Sequence, residues 1–406
     1  MLPGIMDSNF LQTLRTHTDP EADEIASYFI QNNQLETLNR ILFSLTHNGS
    51  KPEKAPENLT HFLTKTAELP QWIDYKKIRK AQELYLLYGL EISLILFCKS
   101  LPQSYCCPKG VKVLHSTGRL SNDPSFTKYS RRIMETSQFV MNVLTKGSFD
   151  KEGKAIITAQ KVRLLHGSIR YYLKKHGWDN TTNGEPINQE DMLGTLISFS
   201  GLVIEGLEKM KITWTDEEKE ALIHTWNVVG YILGVDPNYL PANYKEAIRL
   251  GHAIFDDQKG YSSEGQELTE ALISFIHYII PGNVFDGLAE SMVYFFLGPE
   301  NSSYVGLKPD DSFLHKKLPL IYKVLGKASD TLKDNSALIR GVARPFSKLM
   351  LQGILLTYND HKEATILIPP SLQKNWELKT GWKDTFACPD VFGRRLAIQK
   401  KINTLN

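Results

Sequence analysis

The sequence predicts a mainly α-helical protein, and three observations carry that expectation. Apolar residues recur at helical spacing through most of the chain, cap-type residues open several of these runs, and strand-type runs are almost absent. Residues 7–45 hold the first such rhythm, through Ile25, Tyr28 and Phe29 and then Leu38, Ile41 and Leu42. His47 to Pro56, reading HNGSKPEKAP, follows as a turn-rich linker. From about Leu69 a long helical series begins. Asp74 to Cys98 reads as one or two helices closed near Pro102, and 126–146, 158–175 and 188–209 follow. The polar loop 179–184 separates the last two. Thr215 opens the next helix as an N-cap, with Glu217 and Glu218 in a first turn whose partial positive charge favours acids. That helix runs through Trp226 to Leu233 and stops at Gly234. Residues 239–255, 263–280, 284–297 and 311–325 complete the main series. A late helix over 336–358 carries Arg340 and Arg344 on a largely apolar stripe. Ile366-Leu367-Ile368 is strand-like, but short and ended by two prolines. No repeat of solenoid period is present. The chain therefore divides into an N-terminal helical extension and linker over 1–68, a core over 69–300, and a C-terminal helical extension over 301–406 packed on the core.

Composition narrows the function classes. The 406 residues include 47 Lys plus Arg against 45 Asp plus Glu, for a net charge of +2, and 42% are hydrophobic. That apolar share supports a sizeable core and excludes a disordered chain. Balanced charge argues against a dedicated nucleic-acid binder, since no excess of cations waits for phosphates. The four cysteines, Cys98, Cys106, Cys107 and Cys388, form no CxxC, so zinc-knuckle, thioredoxin and c-type haem attachment motifs are missing and reduced thiols are expected. The N-terminus has no basic stretch leading into an apolar one. The longest apolar run, Leu84 to Cys98, is interrupted by Glu91 and is short for a membrane span. A soluble, cytoplasmic protein is the expectation.

Three segments carry candidate chemistry. In the helix around Lys161 to Leu173, His166 shares a face with Val162, Ile169 and Leu173, so a neutral imidazole sits in an apolar stripe. Gly167 removes bulk beside the ring, while Arg163 and Arg170 lie on another face. Such a histidine is commonly a core residue bonded to a carbonyl. The sharper alternative is an axial haem ligand, which needs an unprotonated ring nitrogen in a dry pocket. On the helix around Arg131 to Val143, Arg132 and Thr136 are one turn apart and share a face with Phe139, Val140 and Val143. A cation and a hydroxyl in an apolar stripe cost free energy unless a carboxylate, a propionate or bound oxygen satisfies them. Arg132 snorkelling to water is the plain alternative. The third segment, 188–209, carries Gly194, Ser198, Ser200, Gly201 and Gly206, small residues that admit a flat group or, more commonly, a second helix. His224, on the helix of Trp226, is a core or cofactor-edge candidate. His252 with Asp256 and Asp257 could suggest a metal, but reads better as a solvated helix end. HExxH, GxSxG, GxxxxGK[ST], a post-strand GxGxxG and paired Glu-x-x-His helices are all absent.

Taken together, Leu69-Pro70-Gln71-Trp72-Ile73-Asp74, Ser116-Thr117-Gly118-Arg119-Leu120, Arg132-x-x-Glu135-Thr136, Lys161-Val162-Arg163-Leu164-Leu165-His166 and Trp226 to Val235 resemble, in order and spacing, the latex clearing proteins and MpaB-type oxygenases. The resemblance covers roughly Leu69 to Leu297. It implies an all-α, globin-like core around haem b, iron protoporphyrin IX, with extra helices at both ends. It further implies that His166 is the proximal iron ligand and metal-binding residue, with dioxygen opposite. Arg132, Thr136 and Glu135 then form the candidate catalytic set, and His166, Arg132, Arg119 and Thr136 the candidate cofactor-binding set, with Arg119 and His115 near the propionates.

Two departures qualify the carry-over. Where latex clearing proteins have a lysine able to cap the iron, this chain has Glu135, which leaves the distal site open or itself faces solvent. Those enzymes also use a distal glutamate N-terminal to the distal arginine, yet between Ile92 and Met134 the only acid here is Asp123, and gap-free spacing puts Ser116 at that place. The resemblance thus implies a haem-dependent oxygenase for a hydrophobic, unsaturated, isoprenoid or lipid-like substrate. A haem-binding sensor, carrier or peroxidase-like protein without oxygenase turnover is the alternative, and a cofactor-free helical interaction protein is the third reading.

Overall fold

Helix caps and amphipathic faces, rather than strand pairing, organise the chain. The computed structural model describes residues 7–116, 127–279 and 287–308. Among them there is no strand. The N-terminal part contains α1 (Ser8–Thr16), α2 (Pro20–Gln31), α3 (Leu35–Ser44) and α4 (Glu57–Thr66). Asp7 and Asp19 cap α1 and α2 by accepting from Phe10 N and Ala22 N, which satisfies amides that the helices cannot. The expected linker at 47–56 is in place, and α4 follows it directly.

Next come α5 (Tyr75–Ile95), a π-helical turn over Leu96–Ser100, α6 (Leu101–Tyr105) and α7 (Pro108–Ser116). Pro102 does not close this series as expected. It sits in the first turn of α6, where a missing N–H is harmless, and the wide π turn before it absorbs the change. α8 (Thr127–Leu144) and α9 (Ala155–Lys175) fall within three residues of their expected bounds. The loop at 179–184 contains a single turn, α10 (Asn180–Asn183). The expected helix over 188–209 is two, α11 (Gln189–Phe199) and α12 (Gly201–Lys209), broken at Ser200, whose φ of −122° and ψ of −82° leave the helical region.

Thr215 caps α13 (Asp216–Ile232) with a full capping box to Glu218, and Gly234, at φ +89°, follows its end. α14 (Tyr244–Gln258) starts five residues later than expected, because a 3₁₀ turn occupies Pro237–Tyr239 and Asn243 is the cap. α15 (Ser263–Ile279) and α16 (Leu288–Tyr304) end the described chain. The expected helices at 311–325 and 336–358, the strand-like run at 366–368, Cys388 and nearly all of the C-terminal extension lie outside the described residues.

The main hydrophobic core joins α2–α9, α11–α13, α15 and α16, and a smaller cluster around Leu11, Leu14, Leu193, Ile197, Leu250 and Ile254 joins α1, α11 and α14. α9 packs most extensively on α2. The N-terminal helices are thus built into the same packing as the helix that carries His166. The described residues contain no single helix long and apolar enough to cross a membrane. Glu91, 4% exposed, lies inside the most apolar stretch, and burial pushes its carboxyl pKa up.

Candidate active-site cavity

α9 presents two faces with opposite jobs. On one side Arg163 grips Asp19 with both Nε (2.6 Å) and Nη2 (2.8 Å) and reaches Glu21 at 3.0 Å. One turn past His166, Arg170 donates from Nε to Asp23 at 2.5 Å and from Nη1 to the Ile187 carbonyl at 3.2 Å. Gly167 also lies on this side, against the backbone of Ala22. It therefore does not relieve crowding beside the imidazole, as the sequence suggested. It lets two helices touch. These contacts fix the roll of α9 about its axis, and the roll turns Val162, Leu165, His166 and Ile169 the other way.

That other way is a cavity of 480 Å³, within the range of pockets that enclose a small organic ligand. Its wall is mainly apolar. The π turn contributes Leu96 and Phe97, α8 contributes Phe139 and Val140, and α13 contributes Trp226. Trp226 stacks on Phe199 with ring centroids 4.9 Å apart and lies 6.0 Å from Phe139. The π turn places Ser100 and Phe97 on the wall as well. Wide turns of this kind often mark functional sites, but no sequence motif announces one.

His166, Arg132, Glu135 and Thr136 all line this one cavity. Nδ1 of His166 is buried and has no hydrogen-bond partner, so the common case of a core histidine bonded to a carbonyl does not hold here. Burial first, then the positive charges of Arg170 and Arg132, push its pKa down to about 3. The ring is therefore neutral at physiological pH, with a lone pair to offer. Arg132 is half-buried. Glu135, 4% exposed, is turned into the protein and not to solvent. Thr136 donates its hydroxyl proton back to the Arg132 carbonyl at 3.0 Å, leaving its oxygen as an acceptor. Arg119 lies outside the described residues.

Other candidates resolve as structural groups. His115 is exposed and pairs with Glu267 at 3.3 Å. His224 Nε2 accepts from the backbone N–H of Asp74 at 2.8 Å, at the start of α5, with Trp72 edge-on to its ring. His252 pairs with Glu205 at 2.9 Å, and Asp256 with Lys259 at 2.9 Å. The small residues of α11 and α12 receive helices: built side chains at Gly194 and Gly206 would meet Ile254 and Ile95. No group of three or more His, Cys, Asp and Glu able to hold a metal ion occurs among the described residues. The unpaired imidazole of His166 is thus suited to a metal that arrives inside a cofactor, and the apolar cavity in front of it suits a macrocycle.

A second set of polar side chains on the wall was not legible in the sequence. Arg15 donates to Glu190 at 2.7 Å and to Asp191 at 3.1 Å, and also to the Asn183 carbonyl. Burial pushes the Glu190 carboxyl up to about 7. In sequence these acids look like ordinary first-turn charge on α11, and nothing local marks an arginine from α1 as their partner.

Comparisons with known proteins point to one family and fold. The catalytic-domain family described as ER-bound oxygenase mpaB/B'/rubber oxygenase matches residues 109–322. Rubber oxygenase of Streptomyces sp. (strain K30) is 24% identical over 294 residues, covering 71% of this chain and 70% of that protein. The solved structure of latex clearing protein in its closed state superposes with a TM-score of 0.73 at 20% identity, covering 87% of this chain and 94% of the other.

Proposed function

The chain belongs to the mpaB/rubber oxygenase catalytic-domain family, and on that premise we propose that it is a haem b-dependent oxygenase that uses dioxygen on a hydrophobic, unsaturated, isoprenoid or lipid-like substrate. The observation that carries this reading is the imidazole of His166: buried Nδ1 without a partner, neutral, and on the wall of an apolar cavity. An unsatisfied buried nitrogen costs about 1–3 kcal/mol, so its retention calls for a ligand. His166 is the residue that would hold the iron. Bound there, haem b supplies the redox chemistry with dioxygen that no side chain can provide.

The chain's own residues do the rest. Arg132 offers a cation on the cavity wall, able to hold a propionate or to stabilise negative charge developing on oxygen. Glu135 supplies a carboxylate on the same wall, and Thr136 an acceptor oxygen. Phe139, Phe199, Trp226 and the π turn exclude water and orient an apolar chain.

One observation favours the second reading, a haem-binding sensor, carrier or peroxidase-like protein. The position where the resemblance expects a distal glutamate is Ser116, an exposed residue at the end of α7. Oxygen uptake by the haem-loaded protein decides between the two. Uptake that depends on added squalene or farnesene, and falls about 100-fold in Arg132→Ala, supports the oxygenase. Stable haem loading with no alkene-dependent uptake supports the second reading and overturns the first.

A further inference from the structure

We propose that Gln258, beside Gly110, and Glu190 on the same cavity wall form a subsite for a hydroxyl head group, so that the substrate is an alcohol on an apolar unsaturated chain rather than a bare hydrocarbon or an acid. The inference rests on the reading of this cavity as the substrate site.

Three observations converge. Glu190 is fully buried; its Oε2 accepts from Arg15, while Oε1 has no partner. Gln258 is 6% exposed; its Nε2 points to Asp191 Oδ1 at 3.5 Å, which turns Oε1 away, and that oxygen has no partner either. Both residues line the cavity. Two unsatisfied buried oxygens on residues of one cavity wall are costly and call for donors. The third observation is the space in front of Gln258. A Cβ built on Gly110 would meet only Asp191 Oδ1 at 3.6 Å and Gln258 Oε1 at 3.9 Å. Gly110 also lines the cavity, so the side chain it lacks is the room in which a ligand atom can approach Gln258 Oε1, on the wall that Glu190 shares.

The chemistry selects the head group. A carboxylate or phosphate would face Glu190 and Asp191 with only Arg15, already shared between them, to offset the repulsion. A hydrocarbon end would leave both oxygens unpaired. An ammonium would have to be stripped of water against an otherwise apolar wall. A hydroxyl is small and neutral, donates to one oxygen, and can accept from a protonated Glu190.

The test uses the full-length, haem-loaded protein without dioxygen. Three ligands of one chain length, farnesol, farnesene and farnesoic acid, are titrated while the shift of the Soret band is followed. Farnesol is expected to bind about tenfold more tightly than farnesene, and farnesoic acid more weakly than farnesol. Gln258→Met is expected to erase the advantage of farnesol, and its haem stoichiometry and Soret band show that the variant is folded. Gly110→Val is expected to weaken farnesol more than farnesene by filling the approach. Equal binding of farnesol and farnesene, preference for the acid, or a farnesol advantage that survives both substitutions overturns the subsite. Farnesene-dependent oxygen uptake without an alcohol preference removes this inference alone. Failure of all three ligands to bind a haem-loaded protein removes the substrate-site reading with it.

Discussion

A side chain on Gly167 would collide with Ala22: a Cβ there would lie 2.6 Å from the Ala22 carbonyl oxygen and 2.9 Å from its carbon. No real Cβ tolerates such contacts, so α2 and α9 approach as closely as their backbones allow. The neighbour of Gly167 in the chain is His166, and the contact fixes which way that imidazole faces. Gly167→Ala must push the helices apart, which costs about 1–3 kcal/mol of stability. Urea unfolding measures it, and an unchanged midpoint and slope would show that the contact is looser than described.

The buried ion pair of Arg163 and Asp19 locks the same interface, with both carboxylate oxygens engaged. Removing Asp19 leaves Arg163 only the more exposed Glu21 and takes away the cap of α2, so Asp19→Ala is expected to cost about 3 kcal/mol. Replacing both, as Arg163→Met with Asp19→Leu, is expected to recover much of that loss. A double-mutant cycle reads the coupling, and simple additivity would contradict a shared, desolvated pair.

His166 also makes a prediction about acid. In the cofactor-free folded protein its pKa is pushed down to about 3, against an ordinary value of 6.5 in the unfolded chain. The folded state therefore binds fewer protons in this window. The contribution of the neutral ring is fully present above pH 6.5 and drains away as the pH falls toward 3, with an upper limit of about 5 kcal/mol. Unfolding free energies of the wild type and His166→Leu are expected to diverge between pH 7 and 4, the wild type losing more. Parallel curves would mean that the ring takes up its proton without penalty.

Much of this arrangement was legible in the sequence because helix amphipathicity is local. The stripe through Val162, His166 and Ile169 and the stripe through Arg132, Thr136, Phe139 and Val140 placed α9 and α8 correctly, and all of these residues face the cavity except where they pack into the core beside it. Thr215 and Gly234 punctuated α13 as their chemistry requires. The misses share a cause. Pro102 and Ser200 were read by propensity alone, whereas a π turn and tertiary packing decide what the chain does there. Gly167 was read against its neighbour in sequence, whereas its contact is with Ala22 on another helix. Arg15 meets Glu190 across 175 residues of chain, and no periodicity can announce such a pairing.

The central claim is that His166 holds the iron of haem b. Titrating the purified, cofactor-free protein with haemin, and following the Soret band in the wild type and in His166→Ala, tests it most directly. The wild type is expected to saturate at one haem per chain with a Soret band characteristic of histidine ligation, and His166→Ala to lose that band and regain it when imidazole is added. Identical spectra and stoichiometry in the two proteins, or a wild type that takes up no haem, would contradict the account.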